Sequence, residues 1–193
     1  MRSTATRIGK LRWLARRVRA MGAAEILWRS TQLGRAHLER TGLGLARPRP
    51  PTGRCARSWV APLPRGFNPQ PYSAAADMIL AGRFDLFAMR GAPLGFPPRW
   101  NVDPKTGTQV PLRFGKLIDY RDESLCGDIK YLWELNRHLE LVTLAQAWHL
   151  TGQRRYADAC RELLGSWFDQ CPYPLGANWS SSLEHAIRLV NWA

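Results

Sequence analysis

Asp128-Ile-Lys-Tyr-Leu-Trp-Glu-Leu-Asn-Arg-His138 is the stretch on which the reading of the fold turns. It closes a region broken by proline and glycine and opens one where apolar residues recur at helical spacing. We read a first helix from about Ile129 to His149, stopped at Thr151-Gly152, glycine being the usual residue just past a helix end. A second spans about Arg154 to Gln170, with Tyr156, Cys160, Leu163 and Trp167 on one stripe. Cys171-Pro172-Tyr173-Pro174-Leu175-Gly176 breaks it. A third begins near Ser181, where Ser181-x-x-Glu184 fits a capping box, and runs through Leu183, Ile187 and Val190. It reaches Asn191-Trp192-Ala193 without a C-cap signal, and three amphipathic helices leave apolar faces uncovered. The expectation is a helical architecture that continues beyond residue 193.

Outward from this stretch the sequence changes character. Residues 91–127 are loop-rich, and Gly91-Ala-Pro-Leu-Gly-Phe-Pro-Pro-Arg-Trp-Asn-Val-Asp-Pro104 excludes a helix. Phe96, Trp100 and Phe114 can pin that loop to a core. Before it, a short helix is expected over Ala75 to Leu80, a stop at Gly82, and a short strand over Arg83-Phe-Asp-Leu-Phe87. Residues 42–74 hold eleven glycines and prolines and read as an extended linker, with Trp59 and Phe67 as anchors. Residues 6–40 carry Ile8, Leu11, Leu14/Ala15, Val18, Met21, Ile26 and Leu33 at helical period, with a break allowed at Gly22. The domains expected are therefore a basic amphipathic helix over 1–41, a linker over 42–74 and a helical domain over 75–193.

The net charge of +13 is confined to the first third. Residues 1–65 hold 15 Lys/Arg against Glu25 and Glu39, whereas residues 66–193 hold 13 of each sign. A basic arm on a neutral domain counts against a nucleic-acid partner for the domain. The arm has the pattern of a membrane-surface or polyanion-binding helix, and equally that of a solvated helix packed by one stripe. Cys55, Cys126, Cys160 and Cys171 show no C-x-x-C spacing, so no metal site or cofactor is expected. Cys160 and Cys171 are the nearest pair for a disulfide, and buried free thiols are the blander reading. No apolar run has the length of a membrane span, and the basic residues through Arg19 interrupt any secretory h-region.

Two helical stretches concentrate groups suited to a sugar. In the first, Trp133, Asn136/Arg137 and Glu140 share one helix face by spacing. In the second, Asn178 and Trp179 precede the third helix, where Glu184, Arg188 and Trp192 follow at four-residue steps. Indole rings offer stacking surfaces, and arginine a fixed fork for a uronate carboxylate or a sulfate. Residue by residue the structural alternative is stronger. Glu184–Arg188 is an ordinary helix-supporting pair, and Trp133, Trp148 and Trp167 suit a core. Asn178-Trp179 is the exception, since a loop pair at a helix entrance has less need of a packing role.

The ordered series D-I-K-x-x-W-E-L-N-R, L-x-x-A-x-x-x-x-T-G, x-x-Y-A, G-x-N-W and L-E-x-A-I-R-x-x-N-W resembles the N-terminal domain of the heparinase II/III family of polysaccharide lyases. Leu80-Ala-Gly-Arg-Phe-Asp-Leu-Phe, Gly95-Phe-Pro-Pro-Arg-Trp and Asp103-Pro fit its upstream segment, so the likeness spans roughly residues 75–193. It implies a mainly α chain forming the start of an (α/α) toroid, followed in the family by further helices and an antiparallel β-sandwich. It further implies β-elimination on an acidic polysaccharide, in a periplasmic or cell-envelope setting. In the family an Asn neutralises the uronate carboxylate and a Tyr/His pair moves protons. Those residues are expected beyond residue 193, so no catalytic role transfers and the fragment is expected to be inactive. Trp133, Asn136, Arg137, Asn178, Trp179, Glu184 and Arg188 match motif positions and carry over as groove-lining or helix-buttressing residues. The alternatives are a polyanion- or carbohydrate-binding module without catalysis, and an α/α-toroid glycoside hydrolase. The latter needs two carboxylates, for which Asp128 and Glu134 are the local candidates.

Overall fold

The computed structural model describes residues 15–45 and 66–193, together with Gly9 and Trp13. The chain divides into two compact units, residues 1–52 and 53–193. In the first, residues 15–20 are helical, Met21 bends, and Gly22 in extended conformation starts α1 (Ala23–Arg40). The break allowed at Gly22 is present. Arg29 pairs with Glu25 and Arg35 with Glu39, so two of the three arginines of α1 are matched by acids four residues away. The rest of the basic arm and most of the linker, with Trp59 and Cys55, lie outside the described residues.

The second unit is mainly helical. It opens with α2 (Gln70–Leu80), which starts five residues before the helix expected from Ala75. Pro71 is the reason for both the error and the start: it ends a preceding helix but fits the first turn of a new one. Gly82 stops the helix at φ +71°, and a Cβ there would come within 2.9 Å of the Gly95 backbone. The strand expected at Arg83 is β1 (Arg83–Leu86), with Phe84 and Leu86 facing inward. It pairs antiparallel with β2 (Met89–Pro93), Arg83 opposite Pro93 and Leu86 opposite Met89. β2 replaces part of the loop expected from residue 91. Its turn, Phe87-Ala88, lacks the Asn-Gly or Asp-Gly signal of a hairpin and places Phe87 at φ +49° against Tyr131.

The long loop that follows is pinned as expected. Trp100 and Phe114 are buried, and Phe96 packs on the core. Its polar anchor is the buried Asp103, whose carboxylate accepts from the backbone N–H groups of Lys105 and Asp128 (2.7 Å for the latter) and from the Thr106 hydroxyl. Gly127, at φ +64°, is obligatory beside it, because a Cβ would overlap that carboxylate. One helical turn, α3 (Glu123–Cys126), capped by Asp122, interrupts a region read as loop.

The stretch that decides the fold is not one helix. It forms α4 (Ile129–Leu135), capped by Asp128, and then α5 (Leu139–Thr151), with Asn136-Arg137-His138 between them. α5 ends at Gly152 in the left-handed region, as expected. α6 (Arg154–Gln170) follows after two residues and packs along α5 as a helical hairpin, while α5 also packs on α2. Tyr156, Ala159, Leu163 and Trp167 of α6 are buried together with Leu141, Leu144 and Ala147 of α5. Trp148, read as core, is half exposed. A short 3-10 turn (Ala177–Trp179) leads to α7 (Ser182–Trp192). Cys126, Cys160 and Cys171 are free thiols.

Candidate functional site

The chain break between α4 and α5 creates the site. Asn136 ends α4 with its amide turned inward: Nδ2 donates to the carbonyls of Leu132 (2.7 Å) and Trp100 (2.9 Å), and Oδ1 accepts from Trp167 Nε1 (2.7 Å). Every polar atom of this fully buried side chain is used inside the protein. Two residues on, His138 adopts φ +62°, an uncommon conformation for a non-glycine residue that redirects the chain into α5. The face shared by Trp133, Asn136, Arg137 and Glu140 therefore does not exist, and Glu140 points elsewhere.

α7 meets this corner with its polar side. Glu184 and Arg188 are each 2% exposed, whereas Leu183, Leu189 and Val190 are largely exposed. The apolar stripe, expected to be left uncovered, faces outward at Leu183 and Val190. The capping box is also absent: Ser181 makes no side-chain cap, and Glu184 instead takes a two-pronged pair from Arg137, Nε to Oε2 at 2.9 Å and Nη2 to Oε1 at 3.0 Å. Arg137 Nη1 reaches Glu134 at 2.6 Å, and its backbone carbonyl accepts from Asn191. Hydrogen bonding to Glu184, partly offset by burial, raises the guanidinium pKa further.

Arg188, four residues after Glu184, turns to other partners. Its Nη2 donates to the Asn178 carbonyl (2.6 Å) and Nη1 to the Asn136 carbonyl (3.4 Å). The guanidinium lies over Trp167 at 5.2 Å and Trp179 at 5.6 Å. Burial draws its pKa down to about 10, the Glu184 charge opposing, so it remains charged near neutrality. Two carbonyls, two indole faces and a nearby carboxylate together replace water around a buried cation.

Asn178 is buried, with Nδ2 on Cys171 Sγ at 3.1 Å and Oδ1 without a partner. Trp179 donates from Nε1 to the Cys171 carbonyl and contacts Tyr173, Trp167 and His185. Trp133 donates to the Ala177 carbonyl (3.3 Å) and leans on Tyr120. All seven residues singled out from the sequence thus meet in one connected cluster. Asn136, Asn178, Glu184 and Arg188 are buried in it, with Trp133, Arg137 and Trp179 partly so. It joins the end of α4, the 177–179 turn and α7, and most of its polar atoms face one another.

Sequence reading misses His138. It is buried between Trp100, Trp167 and a stacked Trp192, whose Nε1 donates to His138 Nδ1 at 2.8 Å. Accepting there places the ring proton on Nε2, which has no partner. Burial, then the Arg188 charge, lower its pKa to about 3, so the ring is neutral near pH 7. The signal available is the Asn-Arg-His run itself, three residues that tolerate a helix end.

The carboxylate pair considered for a hydrolase is already engaged. Asp128 caps α4 and binds Lys105 Nζ at 2.7 Å, which lowers its pKa, while Glu134 holds Arg137. Beside the joint lies a cleft of about 650 Å³ between α2, the β-hairpin and the first turn of α5. Glu134 and Glu140 both line it. No family model, curated protein or solved structure matches the chain.

Proposed function

We propose that this chain contributes the N-terminal helices of a polysaccharide lyase of the heparinase II/III type, which cleaves uronate-containing acidic polysaccharide by β-elimination. Its helical hairpins would begin an (α/α) toroid. The observation that carries this reading is convergence. Three segments that resemble the family motif, at 128–137, 176–179 and 183–192, are brought to one joint by direct hydrogen bonds. Residues far apart in sequence that act as one structural unit are what such a spaced motif requires.

Within this proposal the seven residues buttress the helices and shape whatever groove lies beyond them, and they do not move protons. His138 is buried and neutral, and Glu184 and Arg188 are spent on internal partners. The test incubates the purified chain with alginate, heparin and neutral dextran, measuring heat of binding and the absorbance of unsaturated uronate. We expect binding that favours the two acidic polymers and no rise in absorbance. Equal binding of dextran, or none of any polymer, would count against the substrate class. A rise in absorbance would overturn the assignment of these residues as scaffold.

A further inference from the structure

Among the described residues, the cleft beside the joint holds a buried acid that the network does not use. Glu140 sits in the first turn of α5, only 9% exposed, and its Oε1 finds no hydrogen-bond partner. The elements that build the cleft differ in the charged and titratable groups they bring to it. α2 contributes apolar side chains alone, among them Met78 and Ile79. The β-hairpin brings Phe84 and Leu86, with Arg83, Asp85 and Arg90. Arg90 is paired with Asp85, whose other oxygen accepts from the Gly91 N–H, so these two largely cancel. α4 brings Glu134, held through Oε2 by Arg137. From α6, the Cys160 thiol donates to the Leu141 carbonyl, and burial followed by the Glu140 charge pushes it up to about 11. Glu140 is thus a buried acid, one oxygen lacking a donor, in a cleft whose apolar side chains are joined by Arg83, the Asp85–Arg90 pair and a second carboxylate, Glu134.

We propose that this cleft is a binding site for a small organic ammonium ion, its hydrocarbon part against Met78, Ile79 and Phe84 and its –NH₃⁺ on Glu140, with Glu134 as the second carboxylate. The inference stands apart from the lyase reading and does not depend on it. An ammonium supplies what Glu140 lacks, a donor and an opposite charge in a site of low dielectric. A neutral hydroxyl would supply only the donor. In the empty cleft burial pushes Glu140 up to about 8, so near neutrality it carries a proton. Binding then exchanges that proton for the ligand: the carboxyl O–H bond breaks, the proton goes to solvent, and the carboxylate accepts from the ammonium.

The test is calorimetric titration of the whole chain with cyclohexylammonium, with cyclohexanol as the neutral control. Affinity for the amine should rise about tenfold per pH unit from about pH 6 and level off above about pH 8, because one proton must leave the carboxyl. Titrations in two buffers of different ionisation heat should show about one proton released per ligand at about pH 6.5. Glu140→Gln keeps the shape of the protonated side chain and should abolish both binding and release. Cyclohexanol binding as tightly as the amine, a pH-independent affinity for the amine, or no binding at all would each overturn the proposal.

Discussion

Glu140 and His138, two positions from each other where the chain turns from α4 into α5, should pull the stability of the protein in opposite directions with pH. The histidine is held near 3 against an ordinary value of 6.5, so between those values the unfolded chain binds the extra proton and folding loses stability as pH falls. The glutamic acid is raised from 4.5 to about 8, so between those values the folded chain binds the extra proton and stability falls as pH rises. The two slopes together place the maximum between about pH 4.5 and 6.5, and each tenfold difference in proton affinity between folded and unfolded chain is worth about 1.4 kcal/mol. Denaturant melts from about pH 4 to about pH 9 should show this maximum. In Glu140→Gln the loss of stability above about pH 6 should be much reduced. A descent as steep as in the parent chain would show that the burial of Glu140 does not control it.

At the scale of elements, two glycines separate backbone need from helix propensity. Gly127→Ala forces a Cβ into the Asp103 carboxylate at a positive φ, and we expect it to cost more than about 2 kcal/mol. Gly165, in the middle of α6, has no atom within 4 Å of an added Cβ. Gly165→Ala should stabilise by about 0.5–1 kcal/mol, the ordinary gain of alanine over glycine in a helix. Urea midpoints measure both, and equal effects at the two positions would contradict the geometry. The helices themselves are partly legible in the sequence. α6 is legible to its ends, because its stripe is apolar and its stops are Gly152 and Pro172. The break at 136–138 is not, because it is imposed by Trp100 and Trp167, which capture the Asn136 amide from elsewhere in the chain. β2 and the early start of α2 are hidden by the conventional weight given to Gly and Pro, which mark strand edges and helix first turns as readily as loops.

For the whole molecule, the sequence identifies the members of the joint but not its character. Trp133, Asn136, Arg137, Asn178, Trp179, Glu184 and Arg188 read as groups suited to a sugar, and they do lie together. Helical periodicity, however, gives no sign that the polar side of α7 is the buried one, with Glu184 and Arg188 enclosed while Leu189 and Val190 are exposed. Periodicity finds the sides of a helix and cannot say which side a partner of matching polarity will claim. The Glu140 cleft leaves no trace in the sequence, since it exists only where the β-hairpin, α2 and α5 come together.

What holds the motif segments to each other is the forked pair between Arg137, at the end of α4, and Glu184, on the buried side of α7. A double-mutant cycle of Arg137→Met and Glu184→Gln, read as unfolding free energy, measures that link. Arg137 is partly exposed, which moderates the expected energy, yet the coupling should exceed about 1 kcal/mol, with the double variant far less damaged than the sum of the singles. Effects that add to within about 0.5 kcal/mol would mean that the two residues do not act together, and that the motif segments do not form one joint.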